Sequence, residues 1–121
     1  MLLSPIKISP FARRSSGIAP VNTVAPEITG TLEVGQTLTV VDGTYTGVEP
    51  IIITRNWQRD GVDLVGETTS TYLLDVDDEG GTIRVRELAT DNNGLTTTTY
   101  SNELYLFGIG YMVISTTFEI S

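Results

Sequence analysis

Two stretches decide the fold: Ile51-Ile52-Ile53-Thr54-Arg55-Asn56-Trp57-Gln58 and Thr82-Ile83-Arg84-Val85-Arg86-Glu87-Leu88-Ala89. Both carry β-branched residues at close spacing, and across the segment around them amphipathic helical spacing is hard to find. Successive side chains of a strand point to opposite sides of a sheet. Counting by twos therefore groups Ile51, Ile53, Arg55 and Trp57 on one face of the first stretch, and Ile83, Val85 and Glu87 on one face of the second. The apolar members mark these as inner faces. Trp57 is the only tryptophan. It is the expected core anchor, because it can bury more apolar area than any other side chain here.

Outward from these stretches the chain reads as strand after strand. Asp42-Gly43, Asp60-Gly61, Glu79-Gly80-Gly81 and Asp91-Asn92-Asn93-Gly94 punctuate it as turns. The spacing predicts about seven strands, over 24–30, 36–41, 51–58, 62–65, 71–75, 82–89 and 95–106. Leu38 and Val40 share one face of the second, and Tyr72 and Leu74 oppose Leu73 in the fifth. The expected core is Trp57, Leu38, Val40, Ile53, Ile83 and Val85. Many short strands between frequent turns predict an all-β sandwich or barrel.

Composition limits the chemistry. The 121 residues include seven Lys and Arg against fifteen Asp and Glu, for a net charge of −8. So acidic a surface argues against nucleic acid and anionic membranes as partners. The chain contains no His and no Cys. That removes His-based acid–base chemistry, Cys nucleophiles, disulfides and the usual zinc and iron–sulfur ligands. No cofactor and no enzymatic activity are expected. The opening residues lack the apolar core of a secretory signal.

Charge divides the chain in three. Residues 1–20 carry Lys7, Arg13, Arg14 and three prolines with no acid, and read as an extended basic arm. Residues 21–106 carry four arginines against fourteen acids and read as the domain. Residues 107–121 hold the nearly uncharged, β-prone run Tyr111-Met112-Val113-Ile114-Ser115-Thr116-Thr117-Phe118-Glu119-Ile120 and read as an assembly tail. A strand of this kind needs a partner edge: its own domain, a sister subunit or another protein. The expected assembly contacts are Lys7, Phe11, Arg13, Arg14, Phe107, Tyr111, Val113 and Phe118.

An ordered series of motifs runs through the domain: Ala25-Pro26-Glu27-Ile28-Thr29-Gly30, Val34-Gly35-Gln36-Thr37-Leu38-Thr39, Trp57-Gln58-Arg59-Asp60-Gly61, Thr71-Tyr72-Leu73-Leu74, Asp78-Glu79-Gly80-Gly81-Thr82-Ile83-Arg84-Val85 and Ser101-Asn102. Over about residues 25–103 it resembles the immunoglobulin-like modules of bacterial and bacteriophage proteins. The resemblance implies an immunoglobulin-like β-sandwich without the inter-sheet disulfide of antibody domains. The corner tyrosine of those domains is also missing, since Thr82 and Ile83 occupy its region, so other bonds must fix the corner after Asp78.

In such a sandwich the strands carrying Trp57 and Val85 are antiparallel neighbours. Placing Trp57 beside Val85 places Arg55 beside Glu87, which predicts an inward Arg55–Glu87 charge pair near one end. The alternative is a bulge or strand end that turns one of them to solvent. Asp75, Asp77, Asp78 and Glu79 lack the spacing of an EF-hand loop and read as a solvated turn rather than a Ca²⁺ site. Thr96-Thr97-Thr98-Thr99 reads as ordinary strand.

Modules of the resembled type occur on phage head, tail and fibre proteins and as repeats of bacterial surface proteins. A single copy flanked by two arms leads to the expectation of a non-enzymatic virion structural protein, most simply a head decoration or cement subunit. Its partners would be the major capsid protein, tail or neck proteins, or sister subunits, and assembly would take place in the host cytoplasm. The alternatives are a tail, neck or fibre-base component, or a bacterial-surface adhesion module with weak contact to host glycans. Fold does not assign function, so the last step rests on the resemblance.

Overall fold

The computed structural model describes residues 17–108. Ten antiparallel strand segments, joined by loops and one 3₁₀ turn at Val76–Asp78, make up the all-β domain. They are β1 (Val21–Val24), β2 (Glu27–Thr29), β3 (Thr37–Val41), β4 (Thr44–Thr46), β5 (Ile52–Arg59), β6 (Val62–Asp63), β7 (Thr71–Leu73), β8 (Thr82–Thr90), β9 (Thr96–Tyr100) and β10 (Leu104–Tyr105). The five-stranded sheet centres on β8, with β5 and then β6 on one side and β9 and β10 on the other. The three-stranded sheet runs β2-β3-β7.

The apolar faces of the two sheets supply one sandwich-like core. Ile28, Leu38, Val40, Tyr72 and Leu74 meet Trp57, Ile83, Val85 and Leu106 in a single buried cluster. Trp57 is fully buried and stacks on Tyr72, with ring centroids 5.4 Å apart. Its Nε1–H donates to the Thr69 carbonyl at 2.8 Å, which satisfies the one polar group that burial would otherwise strand. Core burial is as expected for Trp57, Leu38, Val40, Ile83 and Val85. Ile53 departs from expectation: it is only half-buried and stands outside the cluster. It lies near the start of β5, where it lines an open cleft.

The expected strands also differ in their breaks. The expected strand over 24–30 is interrupted at Ala25-Pro26, where a buried proline supplies no N–H to the ladder. Asp42-Gly43, read as a turn, is instead a two-residue break between β3 and β4. Beyond it the chain resumes as β4 against β1, just as β3 lies against β2. The two interruptions face each other, so one antiparallel ribbon continues across a shared kink. The expected strand over 95–106 breaks between Tyr100 and Leu104.

Candidate functional site

The kink is where the predicted charge pair sits. β5 and β8 pair with Trp57 opposite Val85 and Arg55 opposite Glu87, the expected register. The two side chains do not pair with each other, which corrects the prediction. Arg55 donates through Nε and Nη2 to the two Asp42 carboxylate oxygens, at 2.9 and 2.5 Å. Glu87 is fully buried and accepts the Gly43 N–H at 3.0 and 3.3 Å and the Tyr45 hydroxyl at 2.7 Å. The physical reason is the kink itself. Interrupting the ribbon between the β2–β3 and β1–β4 ladders frees a backbone N–H, and buried N–H groups must find acceptors. It also brings a second carboxylate, Asp42, within reach of the guanidinium, whose planar fork suits a two-point contact.

Gly43 is required by this packing. A Cβ on it would stand 2.6 Å from the Val24 carbonyl oxygen and 3.0 Å from Glu87 Oε1. Burial pushes the Glu87 carboxyl above its ordinary range, and the neighbouring Asp42 carboxyl adds to this, against the bonds from Tyr45 and Gly43. Burial likewise pushes the Tyr45 phenol up to about 12, aided by Glu87. Asp42, Gly43 and Tyr45 were missed in the sequence. The available signal was the alternating, β-prone Thr44-Tyr45-Thr46 directly after a presumed turn.

A second buried carboxylate stands at the opposite end of the core. Asp78 is fully buried, so the acidic run 75–79 is not simply a solvated turn. It accepts the Tyr72 hydroxyl at 2.9 and 2.8 Å, Arg59 Nη1 at 2.6 Å and the Asp75 N–H at 2.8 Å. In return Asp75 accepts the Asp77 N–H at 3.2 Å, closing the 3₁₀ turn. These bonds fix the corner after Asp78. Among the described residues no group of three or more Asp or Glu is placed to hold a metal ion.

The outer face of the five-stranded sheet is a polar lattice. Arg86 binds Asp63 at 2.7 and 3.3 Å, Gln58 joins Asp63 at 2.8 Å, and Arg84 bonds Gln58 at 2.7 Å and Glu103 at 3.3 Å. The Arg84 guanidinium also lies 4.0 Å from the Tyr100 ring centroid. Each of the domain's four arginines is thus matched to a carboxylate: Arg55 to Asp42, Arg59 to Asp78, Arg84 to Glu103 and Arg86 to Asp63. The remaining acids set the charge this domain presents.

Beside β5 lies an open cleft of about 480 Å³, lined by Ile53, Thr54, Arg55, Asn56, Thr68, Arg86 and Leu88. Of the expected assembly contacts, Phe107 is exposed and packs edge-on against Tyr105 at 4.7 Å. Lys7, Phe11, Arg13, Arg14, Tyr111, Val113 and Phe118 lie outside the described residues. No protein-family model, no curated protein and no solved structure matches the chain.

Proposed function

We propose that this chain is a non-enzymatic structural subunit of a bacteriophage particle, an immunoglobulin-like module that decorates or cements the head shell. The observation that carries attachment over catalysis is the use of Glu87 and Asp78, the two carboxylates that are fully buried among the described residues. Glu87 is held by bonds that lock a kink, and Asp78 by bonds that lock a corner. Groups engaged in this way hold a rigid body; a general acid or base needs a proton path to a substrate. The ordered motifs over 25–103, the two facing sheets and the Trp57-centred core support the immunoglobulin-like reading.

Charge supports attachment through the ends. The domain's arginines are matched, its acids are in excess, and residues 1–20 carry only positive charge. Such a segment is suited to lie across an acidic neighbour. Particles made without the chain provide the test. They are expected to assemble, to lose integrity sooner on heating, and to regain it when the purified protein is added in saturable amounts. Particles of unchanged stability that bind no added protein would overturn the head-shell reading. Rebinding confined to tails would move the assignment to a tail or neck component.

A further inference from the structure

The free edge of β5 carries an inference beyond attachment to a particle. The Trp57 N–H donates to the Glu67 carbonyl, and the Trp57 carbonyl accepts the Leu64 N–H, both on the side away from β8. Val85 correspondingly turns its N–H and carbonyl toward Ser101. Trp57 and Val85 are therefore a non-hydrogen-bonded pair of the antiparallel ladder. Two and four residues along, Arg55–Glu87 and Ile53–Ala89 are of the same kind. The peptide groups of Ile53 and Arg55 thus point outward, past the point where β6 ends, and no described residue bonds them. The cleft is lined by this stretch and by Thr68. Arg55, the one charged residue of the edge, is neutralised by Asp42. An unpaired edge of this kind is a template for another strand.

We propose that this edge receives residues 111–118 of a second copy of the chain as an added β-strand. Tyr111-Met112-Val113-Ile114-Ser115-Thr116-Thr117-Phe118 is uncharged and β-prone, which suits it to pair with this edge as an added strand. Within one copy, the described chain runs away from this edge before it reaches Gly108. β10 pairs with β8 on the side away from β5, at Ile83 and Thr82, and its direction carries the chain still farther from Ile53. Two strand spacings across and four residues along put Leu104 about 16 Å from the free edge at Arg55. Gly108 lies beyond, against Glu79. Three residue steps from Gly108 to Tyr111 span at most about 11 Å. Donor segment and acceptor edge are different surfaces, so the contact closes as a reciprocal exchange between two copies or runs head-to-tail into a ring or a continuing row. The inference does not depend on the virion reading, and the two fail in different experiments.

The full chain lacks cysteine, so introduced thiols report the contact directly. Thr54→Cys marks the exposed side of the edge, and Ser115→Cys and Thr116→Cys mark both faces of the donor segment. Mixing the Thr54→Cys protein with each donor variant under mild oxidation is expected to give a disulfide heterodimer. With one donor its yield should be about tenfold above that with a Val65→Cys control, since only paired strands hold the sulfurs at bonding distance. Ile53→Pro removes an outward N–H that the domain does not use, so the fold is expected to survive and the association to disappear. Near-UV circular dichroism of Trp57 checks that fold. Control-level cross-linking would overturn the proposal, as would association unchanged by Ile53→Pro in a folded protein. A Thr54→Cys/Ser115→Cys chain that closes only on itself would do the same.

Discussion

Arg55 and Glu87 stand opposite one another on β5 and β8, and both are drawn to the same kink, Arg55 to Asp42 and Glu87 to the Gly43 N–H. The inward guanidinium is neutralised without a direct bond to the inward carboxylate, and Glu87 is left beside a second acid. That arrangement fixes the sign of a pH effect. The folded state holds the Glu87 proton more tightly than the unfolded chain does, so its contribution to stability falls as pH rises from the ordinary value of 4.5 through the raised folded value. Glu87→Gln keeps an acceptor for Gly43 and Tyr45 without the charge. Its unfolding free energy, followed by urea titration across that window, is expected to decline less steeply with pH than that of the natural protein. A curve parallel to the natural one would show that Glu87 is not the source.

Glu87→Ala removes the acceptor as well. It leaves a buried N–H and a hydroxyl without partners, at an expected cost of about 2–3 kcal/mol. Gly43→Ala strikes the same kink from the other side by forcing a methyl against the Val24 carbonyl, for about 1–3 kcal/mol. Urea unfolding monitored by Trp57 fluorescence measures both.

Asp78 ties Tyr72, Arg59 and the 3₁₀ turn together from a fully buried position. Asp78→Ala is expected to cost about 3–5 kcal/mol, because it leaves several donors without an acceptor. Tyr72→Phe removes one donor and leaves Asp78 bound to Arg59 and the Asp75 N–H, for about 1 kcal/mol. A double-mutant cycle between the two sites checks that their effects are not additive.

Tyrosine ionisation reports the kink separately. The Tyr45 phenol is held up to about 12, so its absorbance change is expected well after that of an ordinary exposed tyrosine. Because the folded value exceeds the unfolded one, this group's contribution to stability is lost as pH rises from the ordinary 10.0 through about 12. Tyr45→Phe should remove a late step from the alkaline titration of the folded protein. Loss of an early step instead would place Tyr45 in water.

The register of β5 on β8 was legible because each stretch alternates around a single large anchor, and Trp57 has one sensible partner in Val85. Burial of Leu38, Val40 and Ile83 followed from the same period of two. The polar interior was not legible. Asp42-Gly43 has the composition of a turn, and nothing local reveals that Tyr45 beyond it rejoins the ribbon or that Glu87, 44 residues away, needs the freed N–H. Asp78 looked solvated among neighbouring acids because its charged partner, Arg59, stands 19 residues earlier and is brought to it only by the fold. Apolar burial is written in local pattern; polar burial depends on which distant groups the fold brings together.

The most direct test of the structural role is quantitative mass spectrometry of density-gradient-purified particles from a phage whose genome encodes the chain. The account predicts that the protein travels with the particle peak in a fixed ratio to the major capsid protein, and stays with heads when heads and tails are separated. Recovery only from the soluble lysate or the cell envelope, with none in the particle peak, would contradict it.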